Sequence, residues 1–201
     1  NESFNNLAND LVQLDDGGYV LVGTTSNGTD QDVWIARFNS SLSLTLQDTI
    51  NGNYDDEAHS VWIDDNNGDY IVCGTTNDGN DDDITVWRFP RDLDGTFTVI
   101  YSETVDNDLD DAGYYAFQTE GDNGYAIVGK GWNNTTGFNV RLIRLASDLS
   151  ETFNTVYTIS GAASLANDEG LFVQRTNDLG FVVVGNTYAT GSDESNVFIL
   201  R

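Results

Sequence analysis

The chain has 201 residues, 33 of them acidic and 8 basic, for a formal net charge of -25. An excess of that size repels nucleic-acid phosphates and anionic membrane surfaces, and it attracts cations and basic partners while keeping the surface soluble in salt. A single cysteine excludes an intramolecular disulfide, and no apolar run is long enough for a membrane-spanning helix.

Helical periodicity is absent. Apolar runs of strand length alternate with turns rich in Gly, Asn and Asp. The first strand is expected over residues 11–14, followed by the turn Asp15-Asp16-Gly17-Gly18. Asp, Asn and Gly tolerate the positive φ that a tight hairpin needs. The second strand is Tyr19-Val20-Leu21-Val22-Gly23, with Val20 and Val22 on one side and Tyr19 and Leu21 on the other. A strand apolar on both faces must be covered on both. The third strand spans 33–38. A fourth, polar and rich in Thr and Ser, spans 42–49 and suits an outer edge.

The same succession then repeats. First strands recur at 60–63, 115–118 and 171–174. Second strands recur as Tyr70-Ile71-Val72-Cys73-Gly74, Tyr125-Ala126-Ile127-Val128-Gly129 and Phe181-Val182-Val183-Val184-Gly185. Cys73 reads as a small buried apolar residue within its run. Third strands recur at 84–89, 140–145 and 197–201, and outer strands at 97–104 and 153–160. The closing glycines Gly23, Gly74, Gly129 and Gly185 stand 51, 55 and 56 residues apart. A period of this length marks a repeat architecture whose units need neighbours to bury their faces.

Four-stranded antiparallel units with buried middle strands predict an all-β chain, a β-propeller of four blades. The single domain 1–201 divides into blades near 1–52, 53–107, 108–163 and 164–201, and the closing glycines let backbones approach closely. A β-sandwich is the rival, but it has no reason to repeat this faithfully. The fourth blade lacks its own outer strand. Three explanations stand: a clasp formed by residues 1–6, membership of a larger propeller, or a strand lent by another copy through the open edge. The absence of methionine and the start at Asn1 read as a removed leader or as part of a longer product.

Asp16-Gly17-Gly18-Tyr19 followed by Asp32-Val33-Trp34-Ile35-Ala36-Arg37-Phe38 resembles the secreted β-propeller repeats of about fifty residues found in archaeal and bacterial cell-surface proteins. The later repeats match more loosely, and the resemblance spans essentially the whole chain. It implies a secreted surface repeat and supplies no catalytic residues.

Asp106, Asp108 and Asp110 alternate in one loop, as oxygen ligands wrapping a calcium ion do, while residues 78–83 are similarly acidic. Neither stretch is an EF-hand, because Asp111 and Phe117 occupy the glycine and glutamate positions of that loop. The plainer reading of both is a solvated acidic loop. A second acidic element precedes three of the inner strands: Asp55-Asp56-Glu57, Asp110-Asp111-Ala112 and Asn167-Asp168-Glu169. Its recurrence favours a turn that fixes the strand over a ring of cation-holding carboxylates.

Arg37, Arg88, Arg144 and Arg201 share one repeat position and read as ties between blades to the recurring Asp, with an anion-binding ring as the alternative. His59, the sole histidine, lacks metal partners and a nominated nucleophile, and carboxylate pairs for glycoside hydrolysis are uninformative among 33 acids. Trp34, Trp62 and Trp87 are expected in the core, and Trp132 in an exposed loop. Asn1, Asn27, Asn39, Asn133 and Asn134 begin glycosylation triplets.

The sequence therefore predicts a non-catalytic extracellular structural or adhesive module, such as a subunit of a cell-surface assembly or filament. A calcium- or glycan-binding propeller is the alternative, and a glycoside hydrolase on a propeller scaffold the lower one. Expected partners are copies of itself and surface glycans, with no nucleic acid and no membrane insertion.

Overall fold

The computed structural model describes residues 5–26, 28–94, 96, 98–102, 109–159, 166–188 and 195–201. Among them every regular element is a strand, as the sequence predicts. The first meander holds β1 (Asn5–Gln13), β2 (Tyr19–Ser26), β3 (Gln31–Phe38) and β4 (Leu44–Ile50), paired in that order. The second repeats it with β5 (Asp56–Ile63), β6 (Tyr70–Asn77), β7 (Asp82–Phe89) and β8 (Thr98–Ser102). The third comprises β9 (Asp111–Gln118), β10 (Tyr125–Asn133), β11 (Gly137–Leu145) and β12 (Glu151–Tyr157). The fourth has three described strands, β13 (Ala166–Arg175), β14 (Phe181–Tyr188) and β15 (Ser195–Leu200). A short parallel bridge, Gly137 to Ala166 and Phe138 to Asn167, joins the third and fourth meanders into one seven-stranded sheet. The described strands thus form three sheets rather than four, two antiparallel and the seven-stranded one mixed.

The apolar strands β6 and β10 are covered on both sides because each meander leans on the next, whereas β2 and β14, in the first and last meanders, are buried on one face only. Val20, Val22, Val33 and Ile35 pack on Val61, Tyr70, Val72 and Trp87 of the second meander. Ile71, Cys73, Ile84 and Val86 pack in turn on Ala116, Tyr125, Ile127 and Ile143. Ala126, Val128, Val140 and Leu142 meet Val173, Val183 and Phe198. Buried Cys73 has a thiol pushed well above its usual range by burial. One rule therefore builds all three interfaces: the residues one and three before the closing glycine face forward, and those two and four before it face back.

The closing glycines serve a close approach, and its partner is a β-bulge. In every first strand the register slips by one residue opposite the glycine, leaving Asn9, His59, Tyr114 and Leu171 as the extra residues. A Cβ on Gly129 would lie 1.9 Å from the Ala112 carbonyl oxygen, and one on Gly74 1.8 Å from that of Glu57. A bulge turns its extra side chain out of the ladder's alternation.

The arginines fill their expected role only in part. Arg37 pairs with Asp16 at 2.8 Å, Arg88 with Asp64 at 3.5 Å and Arg144 with Asp122 at 2.6 Å, while Arg201 pairs with Asp178. Each carboxylate belongs to the first hairpin of the arginine's own meander. The guanidinium locks turn to strand within one sheet. Arg88 alone among the four also reaches a side chain of the next sheet, donating to the Tyr125 hydroxyl at 2.9 Å. Arg37 also donates to the Arg91 carbonyl oxygen of the next sheet at 3.5 Å, and further cross-sheet ties come from the inner strands, where Asp10 accepts from the Val61 amide at 3.0 Å and Ser60 from the Ala116 amide at 3.2 Å.

Candidate functional site

The recurring acidic element divides into two roles by strand alternation. Its middle members, Asp56, Asp111 and Asp168, are buried. Asp111 accepts from the Trp132 amide at 3.0 Å and from Arg141 at 2.9 Å. Asp168 accepts from the Ile159 amide at 2.7 Å and from the Thr187 hydroxyl, tying two meanders together. These three hold the strand starts, as the repetition implied. Asp56 is the costly one: burial, then the charges of Asp32, Asp30 and Asp55, raise its carboxyl to about 6, against a hydrogen bond from Thr76.

Their neighbours open onto a groove. A cavity of about 300 Å³ is lined by Asp55, Glu57, His59, Asp110, Tyr114 and Lys130, among others. A second, of about 190 Å³, continues from Lys130 and Phe138 to Asn167, Glu169 and Tyr188. Three successive meanders contribute, always from the starts of first and third strands and the ends of second strands. The two bulge residues His59 and Tyr114 meet in the groove, their rings 5.3 Å apart. The Tyr114 hydroxyl donates to Glu169 at 3.4 Å, and the Asn186 amide donates to the other carboxylate oxygen at 3.3 Å. Glu57 lies 3.6 Å from His59 Nε2. The Lys130 ammonium stands over the Phe138 ring, 4.5 Å from its centroid, and 5.7 Å from that of Tyr114.

Burial dominates the electrostatics here. It lowers the His59 imidazole to about 4, helped by the Lys130 charge, so at neutral pH the ring carries no charge and its contact with Glu57 is not an ion pair. The Glu57 carboxyl is raised by burial and by Asp82 and Asp55. The Tyr114 phenol is pushed far up by burial and by Glu169 and Glu57. The groove thus offers carboxylates, a phenol donor, an amide, a neutral imidazole and the edges of aromatic rings.

The calcium expectation falls mostly elsewhere: Asp106 and Asp108 lie outside the described residues, while Asp110 borders the groove. Among the described residues no group of three His, Cys, Asp or Glu side chains is placed to hold a metal ion. Asn39, Asn133 and Asn134 are exposed, and Asn1 and Asn27 lie outside the described residues. Trp132 is not in a loop: it belongs to β10 and packs edge-on against Phe138 at 4.8 Å. Trp87 is in the core, Trp62 packs partly buried against it, and Trp34 lines a surface cleft on the first sheet instead. Sequence reading passed over Glu57, Tyr114, Lys130 and Glu169 as a group. Only the bulge, invisible in the residue pattern, brings His59 and Tyr114 together.

No protein-family model matches the chain, and neither does any curated protein. Among solved structures it is similar to an endo-arabinase from Bacteroides thetaiotaomicron, with a TM-score of 0.55, over 94% of this chain and 72% of that one. The two are 15% identical, and the likeness is one of fold, of the propeller type.

Proposed function

We propose that the chain is a run of four propeller blades that binds a glycan in the groove at the inner-strand starts, as an extracellular adhesive or structural module. The observation that carries this is the pair of adjoining cavities, which set aromatic rings beside paired carboxylates and amides. Sugars are held by ring faces together with hydroxyl hydrogen bonds of this kind. Binding at a cell surface suits the acidic, soluble exterior and the exposed triplets at Asn39, Asn133 and Asn134. Titration calorimetry against a panel of neutral oligosaccharides, arabinose oligomers included, tests it. Tyr114→Phe and Glu169→Gln are expected to weaken binding at least about tenfold, since each removes a group that would hydrogen-bond the sugar hydroxyls. No heat with any glycan removes the proposal. Calcium titration of the same protein checks the expectation at Asp106, Asp108 and Asp110.

A second reading is glycoside hydrolysis, favoured by the endo-arabinase likeness and by Glu57 and Glu169 on either side of Tyr114. Two carboxylates whose environments differ, one raised and one hydrogen-bonded, are what acid and base roles require. Release of reducing ends from arabinose oligomers, lost in both Glu57→Gln and Glu169→Gln, decides for it.

A further inference from the structure

The rule that builds the three internal interfaces leaves two faces over. Forward-facing Ile35, Val86 and Leu142 are 0%, 0% and 4% exposed, yet their equivalent in the fourth meander, Ile199, is 74% exposed. Val33, Ile84 and Val140 are fully buried, and their equivalent Val197 is 79% exposed. The backward face shows the converse. Val61, Ala116 and Val173 are at most 2% exposed, whereas the equivalent Leu11 in the first meander is 54% exposed. Trp34, on the same backward face, occupies the position that Phe198 fills when buried between the third and fourth meanders.

We propose that these two faces are the halves of one interface between copies of this chain, packed head to tail. The forward face of the fourth meander receives the backward face of another copy's first meander. The occupant follows from the repetition. Each forward face inside the molecule is covered by a backward face of the same residue pattern, and among the described residues the one such face left uncovered is on β1, β2 and β3. Such an interface is heterologous, so it closes into a ring or continues as a filament according to its rotation. Trp34 supplies the aromatic anchor, with a cleft of about 280 Å³ beside it to be filled. Each copy carries a formal charge of -25, so screening by salt strengthens association.

Light scattering on the 201-residue chain tests this. Oligomers are expected at about 100 μM protein, with tighter association in about 1 M salt than in 0.1 M. Val197→Asp with Ile199→Asp, and separately Leu11→Asp, are expected to weaken association at least about a hundredfold. All three positions are exposed in the monomer, so the variants fold, which a circular-dichroism melt verifies. Mixed together, the two variants restore a one-to-one pair, because each keeps the face the other lacks. A monomer at high salt overturns the proposal. So does unaltered association of the Val197/Ile199 variant, the outcome that pairing through the β15 edge would give. Sensitivity to one face only, with no rescue on mixing, overturns it as well.

Discussion

Asp56 shows what one buried carboxyl does to the whole chain. Its unfolded-state value is near 3.8 and its folded value about 6, so the fold prefers it protonated. Its stabilising contribution is complete below pH 4 and is lost as pH rises through 6. Asp56→Asn keeps the shape and removes the charge. It is expected to stabilise the protein by about 2 kcal/mol at pH 7.5 and by nothing at pH 3.5, read as the difference between denaturant midpoints of variant and parent. His59 runs the other way. A folded value of about 4 makes its contribution present above 6.5 and lost as pH falls towards 4. It cancels in that difference because both proteins carry it.

At the scale of the element, the turns joining third to fourth strands share a feature the residue types hide. Leu42, Leu93 and Leu149 sit in the left-handed region at φ of 60°, 46° and 68°. Leucine there costs about 1–2 kcal/mol. Leu93 is buried in the core between the first two meanders, and Leu149 packs partly buried on the next. Leu42 is 69% exposed and recovers nothing. Leu42→Gly is therefore expected to raise stability by about 1 kcal/mol, whereas Leu93→Gly lowers it by about 2 or more, measured by urea unfolding. The glycine and bulge pair is a second element-scale device. Gly129→Ala places a Cβ against backbone that cannot swing away, and a loss of about 3 kcal/mol is expected in the same assay. The bulge also aims Tyr114, so partial retention of the fold in that variant is expected to come with weaker glycan binding.

Across the whole molecule, four similar meanders leaning one way leave two unlike faces among the described residues, one on the first meander and one on the fourth. Interfaces between consecutive sheets are interchangeable in kind, so stability propagates by nearest neighbours. The first and fourth meanders each have one neighbour among the described residues and are expected to exchange amide hydrogens before the second and third. Protection in β6 and β10 exceeding that in β2 and β14 is the outcome to look for by hydrogen-exchange mass spectrometry. Loss of that gradient at concentrations where copies associate is expected if the end faces cover one another.

Strand order within each meander, the repeat and the two-sided burial of β6 and β10 were legible from the aromatic-to-Gly segments alone, because period-two alternation and glycine-rich turns are local properties; β2 and β14, apolar in the same way, are buried on one face only. The strand-fixing role of Asp111 and Asp168 was legible too, since an element that recurs from repeat to repeat builds the repeat, whereas their burial was not. The partners of Arg37, Arg88 and Arg144 were not, because hairpin and inner-strand acids are both near in sequence and only the sheet's pleat chooses between them. Nor was the groove, whose His59 and Tyr114 stand 55 residues apart and meet through an extra residue that leaves no mark in the hydrophobic pattern. The sequence by itself determined which strands form and which faces are apolar. Tertiary structure decided which of those faces are covered, because coverage depends on the neighbour a sheet leans against and not on the sheet's own residues.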